Sequence, residues 1–233
     1  MTRYALAIAT LVLCETYAAA QTAPASSLER ISRKDICVTN GAVTERPNGQ
    51  LAIDTPSSRA VVGGAVDKTA DQAAEIRFRY VGPSQTTKPL ASGELRRQIG
   101  LKLRAQDTCN LIYAMWHIEP DAVVAVSIKR NVGMNTHEQC GARGYINIKA
   151  QKRIDVPLIR PGEAHTLRAE LHGNMLTVMA DGKPAWQGGL GNEAQFPVGP
   201  PGFRTDNARF EFDYYADRPA KPPQGRCVLS EGD

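Results

Sequence analysis

Residues 165–190, HTLRAELHGNMLTVMADGKPAWQGGL, and residues 199–215, GPPGFRTDNARFEFDYY, decide the fold. Apolar and polar residues alternate over 167–171 and again over 176–180, which is the period of a half-buried β-strand. Asp181-Gly182 then interrupts the pattern. Both central positions of a tight hairpin turn need positive φ, which Gly reaches freely and Asp tolerates. The stretch therefore predicts a β-meander.

The composition is typical of one large all-β domain. The chain has 233 residues, of which 42% are hydrophobic and 22% charged, and this is enough to bury a substantial core. Its 20 Gly and 15 Pro follow no period, which favours many short strands over long helices. No internal repeat is visible. We predict a sandwich of two antiparallel sheets.

The first twenty residues have the features of a secretory signal peptide. Arg3 precedes an apolar run over 4–13, and Ala18-Ala19-Ala20 is a small-residue cleavage site, so we expect cleavage after Ala20. A lipoprotein anchor at Cys14 is a weaker alternative, because Leu13 stands where that motif needs a small residue. The apolar run is too short to cross a bilayer, and no later segment predicts a transmembrane span. We expect an exported chain, periplasmic or extracellular.

After the signal peptide at 1–20, the chain divides into three parts. We predict a flexible leader over 21–34, a β-sandwich over 35–217 and a Pro-rich tail over 218–233 that Cys227 ties to the domain.

Four cysteines remain after cleavage, and an even number in an exported chain indicates two disulfides. Of the three possible pairings we favour Cys37 with Cys227, which ties the ends of the domain, and Cys109 with Cys140, which braces consecutive strands. A metal site at His137 and Cys140 is the weaker alternative, because the chain has no CxxC pair.

Four predicted strands, over 97–104, 110–118, 122–131 and 145–149, share a polar and basic face. Strand parity turns residues such as Trp116 and Ile146 toward the core and the alternate residues outward. If the four strands are neighbours, their outward side chains form one surface, made by Gln98, Lys102, Arg104, Tyr113, His117, Ser127, Lys129, Tyr145, Asn147 and Lys149.

Such a surface suits a sugar. Amides and hydroxyls match ring hydroxyls, aromatic planes stack on C–H faces, and cations meet carboxylate or sulfate groups. A merely solvated sheet face is the alternative, although Tyr113 would be unusual there. The net charge of +4 fits an anionic partner, and no dense Lys/Arg run predicts nucleic-acid binding. The candidate ligand-binding residues are Gln98, Lys102, Arg104, Tyr113, His117, Lys129, Tyr145 and Asn147.

The strings NMLTVMADGKPAWQG, GPPGFRTDN and FEFDYY resemble the concanavalin A-like lectin/glucanase superfamily, in the style of laminin-G-like and 3-keto-disaccharide-hydrolase-type jelly rolls. The resemblance covers about residues 74–216 and rests on structural motifs. It implies a jelly roll of two curved antiparallel sheets, with a closing strand that returns beside the first strand and glycans commonly bound on the concave side.

The resemblance also raises two catalytic alternatives. Glu211-Phe212-Asp213 resembles the acidic strand of retaining glucanases, but the third acid is missing because Tyr215 stands in its place. Ser92-Gly93-Glu94-Leu95-Arg96 resembles an alginate-lyase strand, with Ser92 where that strand has its leading Arg. In a lyase, Arg and Gln would neutralise a uronate and Tyr or His would handle the proton at C5. The catalytic candidates are Tyr113, His117, Arg104 and Gln98.

We expect no cofactor. Asp206 and Asn207 are predicted to make the turn before the last strand, and a structural calcium bound to them is the alternative. The first functional hypothesis is an exported, monomeric glycan-binding or surface-associated module. The rival is a polysaccharide-active enzyme, a lyase before a glycoside hydrolase, and a structural envelope protein without a small ligand is the third hypothesis.

Overall fold

The alternating segment 165–190 forms three consecutive antiparallel strands in the computed structural model, which describes residues 28–64 and 71–218. Asp181 and Gly182 have φ of 51° and 75°, so both central turn positions are left-handed as the sequence predicts. The meander is therefore confirmed.

The three strands belong to a sheet of nine, in which β6 and β16 are central. Its strands are β1 Glu29–Ile31, β3 Thr44–Glu45, β4 Leu51–Ile53, β6 Gln72–Pro83, β11 Lys152–Arg153, β12 Ala164–His172, β13 Met175–Ala180, β14 Lys183–Gly189 and β16 Ala208–Ala216.

A second sheet of seven strands packs against the first, with the order β10-β9-β8-β7-β15-β5-β2. Its strands are β2 Ile36–Asn40, β5 Ser57–Val62, β7 Arg97–Leu103, β8 Leu111–Glu119, β9 Val123–Lys129, β10 Tyr145–Ile148 and β15 Gly202–Asp206. The four strands that we expected to be neighbours, β7 to β10, are adjacent in this sheet. The architecture is an all-β, two-sheet antiparallel jelly-roll sandwich.

Helical structure is sparse in the described residues. One short helix, α1 His137–Cys140, lies between β9 and β10, and single 3₁₀ turns cover Arg33–Asp35 and Asn192–Gln195. Among the residues that the structure describes, no helix has the length and apolar character needed to cross a bilayer.

The closing stretch changes sheets. β15 lies in the seven-stranded sheet, Asn207 turns the chain with φ of 54°, and β16 lies in the nine-stranded sheet beside β1, β4 and β6. Phe203 and Phe212 meet edge to face across the core, with ring centroids 5.1 Å apart, and both are fully buried. The same hydrophobic core includes Trp116 and Trp186.

Two expectations need correction. Ile146 is not buried in the core: its strand β10 is the edge of the seven-stranded sheet, and the side chain is 42% exposed. The sandwich also starts before residue 35. β1 pairs with β16, and Ile31 is 2% exposed, so the end of the predicted leader belongs to the sheet.

One of the two predicted disulfides is confirmed: Cys109 and Cys140 are joined, with Cα atoms 5.9 Å apart. Cys37 lies in β2. Its proposed partner Cys227 lies outside the described residues, as do the predicted signal peptide, Cys14 and the tail after residue 218. Those assignments stay predictions.

Candidate functional site

The outward face of the seven-stranded sheet carries a cavity of about 710 Å³. Its floor comes from β2, β5, β7, β8, β9, β10 and β15. Two connecting segments form walls at its rim, one over residues 88–92 and one that includes His137, Gly141 and Ala142. The floor residues are Asn40, Ser57, Arg59, Gln98, Tyr113, Met115, His117, Ala125, Ser127, Tyr145, Asn147, Arg204 and Asp206.

Most of the predicted site residues lie in this cavity. Strand parity and the adjacency of β7 to β10 bring five of the eight together: Gln98, Tyr113, His117, Tyr145 and Asn147. Ser127, which shares their face, lines it too. Their role in binding stays a prediction.

Arg104 is a correction. It follows the last residue of β7 and has φ of 47°, so the strand alternation has ended and parity no longer fixes its direction. Its guanidinium donates to the carbonyl oxygens of Ala194, at 2.7 Å, and Gly173, at 3.0 Å. Gly173 lies in the β12–β13 turn, so Arg104 ties the two sheets together and does not line the cavity.

Lys102 and Lys129 also do not line the cavity, and each is 2% exposed. The ammonium of Lys129 donates to the carbonyl oxygens of Gly141, at 2.8 Å, and Thr108, at 3.1 Å. A buried ammonium needs such acceptors. Lys129 therefore supports the wall around Gly141 instead of presenting its charge to a ligand.

The centre of the floor is an ion pair that the sequence interpretation missed. Arg204 and Asp206 lie two residues apart on β15, where Nε of Arg204 is 2.7 Å from Oδ2 of Asp206. Asp206 also accepts hydrogen bonds from Gln98, at 2.6 Å, and from Ser57, at 3.2 Å. Burial lowers the pKa of Arg204, but the charge of Asp206, its hydrogen bond and the neighbouring Tyr113 and Tyr145 together outweigh burial and raise that pKa.

The strand pattern does contain a signal for this pair. In the string GFRTD, Phe203 belongs to the core, so parity turns Arg204 and Asp206 to the opposite face. The signal becomes useful only once β15 is known to lie in the seven-stranded sheet.

His117 lies at one end of the cavity beside a second ion pair. Arg96 donates to Nε2 of His117 at 3.3 Å and to Oε1 of Glu94 at 3.1 Å. Burial, together with the charge of Arg96, lowers the pKa of His117 to about 4. The imidazole is therefore neutral at pH 7, and the donor from Arg96 leaves the proton on Nδ1.

Two tyrosines stack at the other end. The rings of Tyr113 and Tyr145 are 6.1 Å apart between centroids and only 20° from parallel. Tyr113 is buried, which raises the pKa of its hydroxyl, while Tyr145 is 41% exposed at the mouth of the cavity. The Tyr145 ring is thus reachable from the mouth, while the Lys129 ammonium lies 5.4 Å from its centroid and its hydroxyl accepts a hydrogen bond from Arg204 at 3.4 Å.

The disulfide holds the neighbouring wall in place. Cys140 ends α1, and its bond to Cys109 anchors the segment that carries His137, Gly141 and Ala142 to the start of β8. Gly141 is also the acceptor for Lys129.

The glucanase alternative has no support from the geometry. Glu211 and Asp213 lie on β16 of the other sheet, so they cannot act in this cavity. Glu211 pairs with Arg46 at 2.6 Å, and Asp213 pairs with Arg30 at 2.5 Å.

The calcium alternative would require displacing existing contacts. Both oxygens of Asp206 accept hydrogen bonds, and the Asn207 amide bonds to the backbone of Lys88 and Arg96. Within residues 28–64 and 71–218, no group of three or more His, Cys, Asp or Glu side chains is arranged to hold a metal ion.

Comparison with solved structures identifies the fold. The carbohydrate-binding module CBM66 from Bacillus subtilis matches with a TM-score of 0.50 and 15% identity, over 76% of this chain and 91% of that chain. The metal-free carbohydrate recognition domain of Emp46p matches with a TM-score of 0.52 and 10% identity, over 78% and 88%. The chain shares the two-sheet jelly-roll fold of these structures, which is the fold implied by its resemblance to the concanavalin A-like lectin/glucanase superfamily. No family model matches its sequence, and no curated protein does so at a significant level.

At these identities the likeness establishes the jelly-roll fold and not an activity. The chemistry of the site has to come from its own residues: a stacked tyrosine pair, a neutral imidazole, an ion-paired arginine and several amides and hydroxyls.

Proposed function

We propose that this protein is an exported glycan-binding module whose site is the cavity on the seven-stranded sheet. The observation that carries the proposal is the exposed ring of Tyr145 at the mouth of a 710 Å³ cavity with polar side chains in its floor. A cavity of this size is in the usual range for ligand sites. Asn147 and Ser127 lie beside the ring and can exchange hydrogen bonds with sugar hydroxyls.

Two further findings support this proposal. The two solved structures compared above are a carbohydrate-binding module and a carbohydrate recognition domain. The Cys109–Cys140 disulfide supports export, since disulfides persist mainly in oxidising compartments.

A lyase is the second candidate, because Tyr113, His117 and Gln98 line one cavity together with Arg204. The neutral His117 can act as a base only if Arg96 releases its Nε2 atom, since that atom holds the free electron pair. The raised pKa of Tyr113 disfavours the tyrosinate form that would act as a base. Both features favour binding over proton abstraction.

A glycan array separates the hypotheses when it is combined with an ultraviolet absorbance assay for unsaturated sugar ends on uronate polymers. We expect binding without new unsaturated ends. New unsaturated sugar ends would establish lyase activity. If the protein neither bound nor cleaved any glycan, the structural envelope protein would be the remaining hypothesis.

A pair of matched variants tests the site itself. Tyr145→Ala should weaken glycan binding by about tenfold, in the range of one lost aromatic contact. Tyr215→Ala is the control, because Tyr215 also lies on an outward sheet face with a cation over its ring, Arg77 at 4.4 Å, but belongs to the other sheet. Equal losses in the two variants would refute this site.

A further inference from the structure

The segment 141–162, which runs along the side of the sandwich, contains the surplus positive charge of the chain. It has five Lys and Arg residues and one acid, Asp155, so its net charge of +4 equals the formal +4 of the whole protein. The remaining charges of the chain balance. The basic character of this protein is therefore local.

All five of these cations are exposed, and three of them lie close together along the chain. Lys149, Lys152 and Arg153 are all exposed, and none of them has an ion-pair partner in the part of the chain that the structure describes. We call these three residues the basic strip.

The charges at the centre of the cavity are compensated, although Arg59 in its floor and the exposed Lys88 in its wall also carry positive charge. Arg204 is neutralised by Asp206 and Arg96 by Glu94, and His117 is uncharged at pH 7. The centre of the cavity is thus better matched to the uncharged part of a sugar than to its acidic group.

The basic strip is continuous with the cavity. Tyr145 and Asn147 alternate along β10 and both line the cavity. Lys149 follows directly after the last residue of β10, about 7 Å of extended chain beyond Asn147. The chain then crosses to the other sheet, where Lys152 and Arg153 form the edge strand β11 beside β14.

We propose that the basic strip binds the carboxylate or sulfate groups of an acidic polysaccharide while neighbouring sugar units of the same chain occupy the cavity. This inference rests on the proposed function and adds the class of glycan and the place where its charge is recognised. A polymer longer than the cavity must leave it at the rim, and the rim at Tyr145 leads to the strip. Unpaired exposed cations attract anions along such a path.

The test compares acidic polymers with their uncharged forms. Polygalacturonate and alginate are paired with their esterified forms, and heparin with its desulfated, carboxyl-reduced form. We expect the full chain to bind an acidic polymer at least tenfold more tightly than its uncharged form at low salt, with the excess falling as salt rises. The uronate and sulfate arms identify which anion is preferred.

Matched double variants locate the effect. Lys149→Gln/Lys152→Gln should reduce affinity for the acidic polymer by about tenfold and leave affinity for the uncharged form unchanged. Lys34→Gln/Arg79→Gln removes the same charge elsewhere, at the 3₁₀ turn before β2 and on the outer face of the nine-stranded sheet, and should change neither.

The outcomes distinguish this inference from the proposed function. The role of the basic strip would be refuted if the two double variants had equal effects, or if acidic and uncharged polymers bound equally well. Either result would still be compatible with a glycan site in the cavity. Loss of acidic-polymer binding only in the Lys149 and Lys152 variant would support it. A full chain that binds no glycan at all would overturn both.

Discussion

Substitution of Asp206 by Asn tests the buried ion pair at the centre of the cavity. The side chains of Arg204 and Asp206 are 10% and 2% exposed, so water screens this pair little. Without the carboxylate, Arg204 becomes a buried charge without compensation, and the one oxygen of Asn replaces only one of the two that accept from Gln98 and Ser57. Breaking one side of a buried pair costs about 3–5 kcal/mol. Because Asn keeps a polar oxygen, we expect a loss of about 3 kcal/mol in the free energy of unfolding.

The assay is urea unfolding followed by the fluorescence of Trp116 and Trp186, which are both buried. Adding Arg204→Met to Asp206→Asn removes the orphaned charge, so the double variant should recover at least about 1 kcal/mol. Asp213→Asn is the control: it breaks a pair whose Arg30 side chain is 46% exposed, and it should cost less than about 1 kcal/mol. A loss below about 1 kcal/mol for Asp206→Asn, or simple additivity in the double variant, would refute the reasoning.

Two other predictions concern the wall of the cavity and its imidazole. Replacing Cys109 and Cys140 by Ser opens a loop with a sequence separation of 31 residues. We expect the free energy of unfolding to fall by about 3–4 kcal/mol and glycan binding to weaken. Unchanged glycan binding would show that the wall does not contribute to the site. The pKa of His117 is about 4 in the folded protein and near 6.5 when unfolded, so the unfolded state binds more protons between these values. His117 therefore stabilises the fold fully above about pH 6.5, and this contribution falls as the pH drops toward 4. His117→Gln should flatten that dependence in unfolding titrations, and an identical slope in both proteins would contradict it.

Local periodicity was enough to predict most of the fold. The hairpin at Asp181-Gly182 and the inward series of β7 to β9 follow from alternation and turn chemistry, which act over a few residues. The exposure of Ile146 could not be predicted in the same way. Parity gives the side of a strand, but whether that side is covered depends on β10 being the edge of its sheet.

The candidate site shows the same limit. Gln98, Tyr113, His117, Tyr145 and Asn147 were predictable as one surface because their strands alternate cleanly and are neighbours. Arg104 was misplaced because a left-handed residue ended the alternation one position earlier than the sequence indicates.

The Arg204–Asp206 pair was missed for a different reason. It lies on β15, which inserts between β5 and β7 although it is remote from both in the sequence. Pairing between such distant segments depends on the topology and not on any local pattern.

The location of bound glycan tests the central claim most directly. Backbone amide NMR signals should be followed while a glycan from the array is titrated into the isotope-labelled protein. The signals of Tyr113, Ser127 and Asn147 should shift in proportion to occupancy, while those of Glu211 and Asp213 on the opposite sheet should not move. Shifts confined to the Glu211 and Asp213 face would contradict a glycan site in the cavity of the seven-stranded sheet.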